Sequence, residues 1–531
     1  MLGNGVAASP AFTTAEAARY HAVGWWSQTT LSDMVRRNAE QLPDRHAYID
    51  YPGPGVTWRQ VNAMAQAWAA RLAAAGVRAG ARIAVWHRDA ADIHTLFVAI
   101  ERCGAIVVGI GARAGTREVA AILSASQAQL LITDDQRRCT ADELGITTLS
   151  VADLNEQEAD LPPDSQLGAD DVFLINSTSG TTGLPKCVVH TQNRWYYFHQ
   201  LAVANARLCP EDIFLPVIPT PFGFGLWTSH TTPIHLGATA VLLDQFSVAA
   251  TCAAIERHRV TVLCCVSTQL TMIMADRVSS EHDLSSLRVV FTGGEALPYR
   301  PAAAFEELSG AKILQFYGSN ETGVLSATTV DDPQERRLRT SGRIVADMSV
   351  RLFGGTDGTT DVTDTGRGQP ACRGPATSLG YLDGSDHDQL FTADGWMRMG
   401  DLCEIDDDGY VRVTGRTSDF ILRGGKNISA VQVEEAVMSH PAVALAAAVP
   451  IRDAVFGERV CVYLECLDTT LELAELVEYL LAQGVSKELL PERLVVVDEL
   501  PRSSGGKIAK GQLREIEARG VAAGDDVGGV R

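Results

Sequence analysis

Residues 175–186 of this chain read Ile175-Asn176-Ser177-Thr178-Ser179-Gly180-Thr181-Thr182-Gly183-Leu184-Pro185-Lys186. Apolar, strand-like runs at 172–175 and 188–189 flank them, which predicts a β-hairpin with the polar stretch at its tip. Gly180 and Gly183 let backbone N–H groups turn inward around an anion, the hydroxyls add donors, and Lys186 adds a mobile positive charge. The stretch therefore predicts a polyphosphate-binding loop, with an ordinary solvated turn as the alternative. It is not the common P-loop, because no Gly-Lys-Ser/Thr opens a helix at the required spacing.

Length and charge restrict the classes of protein to which the chain can belong. At 531 residues it is too long for a single core, so we expect two or more domains. The formal net charge of −20 argues against a general nucleic-acid surface and against an anionic membrane as partner. It is compatible with a phosphate site, which needs to be positive only locally.

The N-terminal sequence and the cysteines indicate a reducing compartment. Residues 1–20 lack a basic start followed by a continuous apolar run, and no apolar segment has membrane-spanning length. We therefore expect a cytosolic (cytoplasmic) protein. The eleven cysteines are scattered without a Cys-x-x-Cys pair, which predicts neither a zinc site nor a disulfide framework.

Apolar runs alternate with amphipathic helices through most of the chain. Thr57 to Gln60 has the form of a capping box and opens a helix with apolar residues at helical spacing. The runs that follow are 83–86, 105–108, 130–133, 213–217, 240–243, 260–265, 289–291 and 313–316. This alternation predicts an α/β fold with mostly parallel sheets covered by helices. Gly109-Ile110-Gly111 faintly resembles a dinucleotide-binding loop, but its spacing does not fit and we interpret it as a tight turn.

From residue 350 the composition of the sequence changes. Short runs rich in Gly, Asp and Thr as far as 415 predict a small β-rich region with antiparallel strands. Residues 417–519 form a compact unit with predicted strands at 420–422, 443–449 and 460–465 and helices at 431–438 and 471–483. The tail, 520–531, is expected to be disordered.

Five further motifs follow the loop in order. They are Phe291-Thr292-Gly293-Gly294-Glu295, Tyr317-Gly318-Ser319-Asn320-Glu321-Thr322, Gly400-Asp401-Leu402, the segment from Gly415-Arg416 to Asn427, and Ser504-Gly505-Gly506-Lys507. The series resembles the adenylate-forming superfamily of acyl-CoA synthetases, peptide-synthetase adenylation domains and luciferases, over most of the chain after Thr57. The resemblance implies ATP-dependent, AMP-forming activation of a carboxylic acid, with Mg²⁺, followed by transfer of the acyl group to a thiol. It also implies a large N-terminal domain, 1–417, and a small mobile α+β C-terminal domain, 418–519, with the hinge at Ser418.

The resemblance assigns roles to individual residues. Lys186 would steady the departing pyrophosphate, Glu321 would bind Mg²⁺, and Lys507 would stabilise charge between the carboxylate and the α-phosphate in the adenylating conformation. Asp401 would accept the ribose hydroxyls, assisted by Arg416. The remaining residues implied in ATP and AMP binding are Thr178, Ser179, Gly180, Thr181, Thr182, Gly183, Gly293, Gly294, Glu295, Gln315, Phe316, Tyr317, Gly318 and Asn320. The loop implied to line the coenzyme A tunnel is Gly424, Gly425 and Lys426.

Three positions depart from the superfamily's pattern. Asn320 stands where a threonine is usual, so an amide would replace a hydroxyl contact to the α-phosphate. Cys187 follows the loop lysine where glycine is common. Ser418 replaces the usual Asp or Lys at the hinge, but a hinge needs backbone freedom more than charge, so domain rotation is still expected.

The segment 219–227 matches the superfamily's acyl pocket. The residues predicted to line it are Phe222, Gly223, Phe224, Trp227 and Gly318. Gly223 falls where catechol-acid enzymes carry an asparagine, and no Asp is present to pair with an amino group, which disfavours 2-hydroxybenzoates and α-amino acids. We expect a roomy apolar pocket for an alicyclic, aryl, terpenoid-like or medium-chain acid.

Coenzyme A is the favoured acceptor, because no carrier or condensation domain is attached to the chain. A separate carrier protein, which presents the same pantetheine thiol, is the first alternative. A non-catalytic nucleotide-binding homologue and an oxidative relative of the luciferase type are alternatives of another class. Lys507 and Glu321 argue against the non-catalytic one.

Overall fold

The computed structural model describes residues 9–155, 167–178, 186–355, 358–384, 387–416, 419–424, 426–453, 455–467, 470–502 and 507–522. The elements up to residue 178 are α1 (Thr14–Ala22), α2 (Leu31–Gln41), β1 (His46–Tyr51), β2 (Gly55–Thr57), α3 (Trp58–Ala74), β3 (Arg82–Trp86), α4 (Ala91–Arg102), β4 (Ile106–Ile110), α5 (Thr116–Ser126), β5 (Leu130–Thr133), α6 (Arg138–Asp142), β6 (Thr148–Ser150), α7 (Val151–Asn155) and β7 (Val172–Thr178). The predicted capping box of α3 is confirmed, because Thr57 Oγ1 accepts from the Gln60 N–H at 3.3 Å and Gln60 Oε1 accepts from the Thr57 N–H at 2.8 Å.

The second region contains most of the strands that end at the candidate site. Its elements are β8 (Lys186–Thr191), α8 (Gln192–Ala206), β9 (Ile213–Pro216), α9 (Gly223–Leu226), α10 (Thr232–Leu236), β10 (Thr239–Leu243), α11 (Val248–His258), β11 (Val262–Cys264), α12 (Ser267–Ala275), β12 (Val289–Gly293), α13 (Tyr299–Ser309), β13 (Lys312–Ser319), β14 (Gly323–Ala327), α14 (Gln334–Arg339) and β15 (Arg343–Ile344). A π-helical turn, Trp227–Thr231, joins α9 to α10.

Two mixed sheets form the large part of the described chain. One has the order β15-β14-β13-β12-β11-β9-β10-β1-β2, and the other has the order β6-β5-β3-β4-β7-β8. Strands β9 to β13 pair in parallel, and so do β3 to β7 apart from the terminal β7–β8 hairpin, which is antiparallel. The predicted α/β class and the predicted hairpin are therefore confirmed.

The β-rich region is antiparallel, as predicted. Its elements are β16 (Ser349–Gly354), β17 (Thr360–Asp361), β18 (Arg367–Arg373), α15 (His387–Leu390), β19 (Met397–Arg398), β20 (Asp401–Ile405) and β21 (Val411–Arg416). The β20–β21 pair places Asp401 directly opposite Arg416. Two motifs that lie 15 residues apart thus meet across one ladder.

The last part of the chain forms its own mixed sheet, covered by helices. Its elements are β22 (Phe420–Arg423), β23 (Lys426–Ser429), α16 (Ala430–Val437), β24 (Val443–Asp453), β25 (Gly457–Cys466), α17 (Leu473–Ala482), β26 (Arg493–Val496) and α18 (Lys510–Ala522). Helix α18 reaches three residues into the predicted tail, and 523–531 lie outside the described residues. None of the described helices combines the length and the apolar composition needed to cross a bilayer.

Strand direction determines where the motifs meet. Because β12 and β13 are neighbours and parallel, their carboxyl ends lie at one edge of the sheet. The segments that follow them, 293–295 and 320–321, therefore lie side by side, as do the loop after β9 and the segment after β11. In open α/β sheets, ligands bind at this edge.

Candidate active site

A cavity of about 2060 Å³ lies between the carboxyl edge of the larger sheet, the β20–β21 ladder and the start of α18. Its lining includes residues predicted from separate motifs, among them Gly293, Gly294, Glu295, Tyr317, Asp401, Arg416 and Lys507. The fold thus brings the downstream motifs together around one space large enough for a nucleotide.

Asp401 is held by two donors from different elements. Tyr317 Oη donates to Asp401 Oδ2 at 2.8 Å, and Arg416 Nε donates to Asp401 Oδ1 at 2.9 Å. Burial and the adjacent carboxylate raise the pKa of Tyr317 well above its usual value, so its hydroxyl stays protonated. Burial alone would lower the pKa of Arg416, but Asp401 and Asp419 raise it. Each carboxylate oxygen keeps a lone pair that could accept a diol hydroxyl.

Lys507 lies against the glycine turn after β12. A Cβ added at Gly294 would come within 2.7 Å of Lys507 Nζ, and the φ of +81° at Gly294 favours glycine there. Burial and the nearby Arg416 lower the pKa of Lys507, while Glu295 and Asp401 oppose that shift. The ammonium has no ion-pair partner within the described part of the chain. It is therefore available to an anionic substrate.

Glu295 is turned away from the centre of this cluster. Its Oε2 accepts from the Thr268 hydroxyl at 2.8 Å and from the Thr268 N–H at 3.2 Å, at the start of α12. Its charge still opposes the lowering of the Lys507 pKa. The carboxylate therefore anchors the glycine turn and leaves the space beside it open.

Glu321 and Lys186 both contact the side chain of Tyr381. Tyr381 Oη donates to Glu321 Oε1 at 3.2 Å, and Lys186 Nζ is 5.0 Å from the centroid of the Tyr381 ring. Residues 379–382 run beside β8, where Val189 N–H donates to the Gly380 carbonyl at 3.0 Å. Sequence reasoning missed Tyr381, because no local pattern shows that its segment joins the hairpin.

The donor set at Glu321 fits a hard cation that is shared with a ligand. Within the described residues, no group of three or more His, Cys, Asp or Glu side chains is arranged to hold a metal ion. A cation bound by one carboxylate would complete its shell from phosphate oxygens and water. That is how Mg²⁺ is usually bound at phosphate-transfer sites.

Several predicted residues lie outside the described ranges. They are Ser179, Gly180, Thr181, Thr182 and Gly183 of the loop, the hinge residue Ser418, and Gly425. The structure fixes only the base of the loop, where Thr178 pairs with Lys186 at the end of the hairpin. The loop's phosphate-binding role therefore stays a prediction.

The predicted acyl segment lies over β4. A Cβ added at Gly109 would be 2.9 Å from Pro221 Cβ, and one at Gly111 would be 2.9 Å from the Phe222 ring. The two glycines of the 109–111 stretch thus make room for this segment, a role that the interpretation as a tight turn did not include. Gly223 begins α9 beside them.

Gly223 faces a tryptophan that the sequence did not reveal. A Cβ at this position would lie 3.2 Å from Trp195 Cη2 and 3.1 Å from Asn320 Oδ1. The space beside Gly223 is therefore bounded by an indole ring and an amide. Trp195 lies on α8, 28 positions away in sequence, so no local signal links the two.

Trp227 is part of the core rather than an open pocket wall. It is 1% exposed, and its ring centroid lies 4.9–5.8 Å from those of four phenylalanines. They are Phe198, Phe224, Phe291 and Phe316. Phe222, Gly223, Phe224 and Phe316 are only half-buried, so an acid would bind along that edge of the cluster.

Three residues predicted at the end of β13 also make structural contacts, and all three line the cavity. The Phe316 ring packs against the aromatic cluster, 4.7 Å from Phe224 between ring centroids, and its role beside a base stays a prediction. The Gln315 amide nitrogen donates to two backbone carbonyls of the α14 segment, at 2.7 and 2.9 Å. At Gly318, a Cβ would lie 1.8 Å from the Gly323 carbonyl oxygen, so hairpin packing explains this glycine without an acyl group.

The loop predicted for coenzyme A lies away from the central cavity. Gly424 and Lys426 are exposed and do not line it, and Lys426 forms a surface ion pair with Glu488. In this arrangement the Lys507 segment faces the cavity. The tunnel assignment therefore stays a prediction for another orientation of the C-terminal part.

Comparison with known proteins places the chain in a family. Residues 35–382 match the model described as AMP-binding enzyme, and 432–507 match the AMP-binding enzyme C-terminal domain. The medium-chain fatty-acid–CoA ligase of Escherichia coli is 29% identical over 95% of this chain and 93% of its own length. The salicyl-AMP ligase / salicyl-S-ArCP synthetase of Mycobacterium tuberculosis is 31% identical over 97% of this chain and 95% of its own.

A solved structure agrees with these matches. The o-succinylbenzoate coenzyme A synthetase of Bacillus subtilis, in complex with ATP and magnesium ion, has a TM-score of 0.79 at 26% identity, covering 91% of this chain and 99% of that one. The first family model alone spans well over half of the sequence. The chain therefore belongs to the AMP-binding enzyme family of adenylate-forming ligases.

Proposed function

We propose that this enzyme activates an apolar carboxylic acid with ATP to give an acyl-adenylate and pyrophosphate, and then forms a thioester with coenzyme A. One observation carries the proposal: Lys507 lies against Gly294 in the same cavity as the Asp401–Tyr317–Arg416 cluster. A carboxylate suited to accept a ribose diol and an ammonium with no ion-pair partner among the described residues both line this nucleotide-sized space, which supports the proposal.

In the first step a carboxylate oxygen of the acid attacks the α-phosphorus, and the bond to the pyrophosphate oxygen breaks. Asp401 would hold the ribose, while Lys507 would offset the negative charge that builds up between the two anions. Lys186 and the hairpin tip would receive the β- and γ-phosphates. Mg²⁺ held by Glu321 would neutralise phosphate charge. The main task of the protein is positioning.

In the second step the thiol, as its thiolate, attacks the acyl carbonyl and AMP leaves. The C-terminal part would rotate between the steps, so that Gly424 and Lys426 face the cavity in place of Lys507. Neither residue lines the cavity in the present arrangement, so their proposed role requires such an alternation.

The residues around Gly223 favour an apolar acid. Phe222 and Phe224 flank the position, and Trp195 closes it. Asn320 Oδ1 is a polar atom at this end, so an acid that carries one hydrogen-bond donor near its carboxylate belongs in any test. The relative from M. tuberculosis is named for salicyl, so 2-hydroxybenzoates should be tested alongside medium-chain and alicyclic acids.

A carrier protein is the second candidate acceptor. The E. coli relative is named for CoA, whereas the M. tuberculosis relative is named for transfer to ArCP. Both acceptors would offer the same thiol to the same site. Nothing in the described cavity distinguishes them.

The proposal is tested by pyrophosphate release from the full chain with ATP and Mg²⁺ over a panel of medium-chain, alicyclic, aryl and 2-hydroxyaryl acids. We expect release that depends on one class of acid, and a product with the mass of an acyl-CoA when coenzyme A is added. Acyl-adenylate that accumulates with coenzyme A present would instead favour a carrier protein. No pyrophosphate with any acid would refute the adenylating activity.

A further inference from the structure

A closed ring of hydrogen bonds lies beside the turn that carries Glu321. Arg194 Nη1 donates to His190 Nδ1 at 2.6 Å and to the Asn320 carbonyl at 2.8 Å. His190 Nε2 lies 2.7 Å from Asn176 Oδ1, and the Asn176 and Asn320 amides exchange two hydrogen bonds of 2.6 and 3.2 Å. The ring joins the β7–β8 hairpin to α8 and to the turn after β13, two contacts that the sequence patterns did not predict.

Arg194 determines the direction of these bonds, because a guanidinium can only donate. His190 Nδ1 must accept, so the imidazole carries its proton on Nε2 and donates it to Asn176 Oδ1. The Asn176 amide nitrogen then faces Asn320 Oδ1 at 3.2 Å and the Pro221 carbonyl at 3.0 Å. Burial and Arg194 hold the pKa of His190 well below its usual value, which is consistent with a neutral ring.

Stability alone does not account for this arginine. Arg194 and His190 are both 0% exposed, and in the described part of the chain Arg194 Nε and Nη2 have no hydrogen-bond partner. Burial lowers the pKa of Arg194 to about 9, and Glu321 acts against that shift. A buried and incompletely compensated cation is costly to fold. The bonds that Arg194 makes to His190 and Asn320 point instead to a role in holding these residues in place.

The ring contacts both the acyl segment and the Asn320–Glu321 turn of the proposed site. Through the Pro221 carbonyl it contacts the acyl segment, and Arg194 lies 4.8 Å from the ring centroid of Trp195, the indole that faces Gly223. Through Asn320 it fixes the residue that precedes Glu321. Acid and phosphate would meet between these two contacts.

We propose that Arg194 is a positioning residue for acyl-adenylate formation: through His190 and Asn176 it holds the Asn320–Glu321 turn in register with the acyl segment. The inference rests on the proposed function. It also fits the asparagine at 320, whose separate Nδ2 and Oδ1 atoms donate to Asn176 and accept from it. A threonine, usual in the superfamily, has one hydroxyl on a shorter side chain in place of these two atoms, so it would disrupt the side-chain link to Asn176.

The test compares Arg194→Met, Asn320→Thr and the double variant in the pyrophosphate-release assay of the full chain. We expect each single variant to lower kcat by about 100-fold, the loss typical of a misplaced reacting group, with KM for ATP changed by less than about threefold. The double variant should be no slower than the slower single variant, because both substitutions open the same ring. Arg194→Lys, which keeps the charge on a shorter side chain, should recover activity only in part.

A matched control separates positioning from loss of stability. Arg102 on α4 is also buried and also donates to neutral side chains, to Ser32 Oγ at 2.9 Å and to Asn62 Oδ1 at 2.6 Å. Arg102→Met removes a comparable buried guanidinium, so it controls for any change in the unfolding midpoint, and it should leave kcat near the wild-type value.

Each result either supports or refutes the positioning role of Arg194. Wild-type kcat in Arg194→Met, losses that multiply in the double variant, or an equal loss in Arg102→Met would overturn the role of Arg194. If Arg194→Met does not fold, the Asn320→Thr variant alone tests the proposal. Unchanged activity in that variant would refute the positioning role of the ring. A wild-type protein that releases no pyrophosphate with any acid refutes the proposed function, and the inference falls with it.

Discussion

Removing the Lys507 ammonium should stop the first half-reaction and spare the second. Lys507 is half-buried, its Nζ lies close to where a Cβ of Gly294 would be, and it has no ion-pair partner among the described residues. An ammonium about 4 Å from one anionic oxygen gains about 4 kcal/mol at an effective dielectric of about 20. Only the part of this energy that grows in the transition state counts, so we expect Lys507→Ala to lower kcat by about 10²–10³-fold.

The assay follows the two half-reactions separately. Pyrophosphate release with ATP and acid reports acyl-adenylate formation, and thioester formation from supplied acyl-adenylate and coenzyme A reports the second step. Lys487→Ala is the matched control, because this lysine is exposed, lies in the same C-terminal part and lines no described cavity. It should leave both rates unchanged, and the unfolding midpoint should barely move in either variant.

The reasoning fails if Lys507→Ala releases pyrophosphate at the wild-type rate. It also fails if both half-reactions fall by the same factor, since that would indicate general damage to the site. A loss confined to the second step would mean that the arrangement seen here is not the adenylating one.

Two further outcomes are expected. Because burial and Arg416 lower the pKa of Lys507, the lysine loses its charge at a lower pH than an exposed lysine does. The rate of pyrophosphate release should therefore fall with rising pH below the ordinary lysine range, and Lys507→Arg should move this fall to higher pH. If the fall does not move in Lys507→Arg, it belongs to another group. Gly223→Leu should narrow the space bounded by Trp195 and Asn320. We expect kcat/KM to fall about tenfold or more for branched or cyclic acids and to fall least for small acids. An equal loss for every acid in the panel would mean that the acyl group binds elsewhere.

Local patterns identified much of the architecture, because period, capping and turn chemistry are short-range properties. The capping box at Thr57, the hairpin strands around the phosphate loop and the alternation of strands with helices all appear in the structure. The motifs identified the family, because its glycine-rich turns and charged residues occur in a fixed order along the chain. Asp401 and Arg416 were recognised for the same reason.

Contacts between distant segments could not be inferred in this way. Phe316 and Gly318 belong to a recognised motif, yet the alternation of side chains along β13 and the packing of Gly323 decide what they face. Trp195 and Tyr381 lie in no motif. They reach the site only because α8 and the segment at 379–382 pack against the hairpin.

By itself, the sequence determined the α/β class, the family and the residues available for adenylation, because these depend on residue type and order. Tertiary structure alone decided that Asn176, His190 and Arg194 close a ring with a turn 144 residues from the first of them. It also decided that Lys507 meets Gly294. Hydrogen-bond direction and burial are properties of neighbours in space, and sequence separation does not record them.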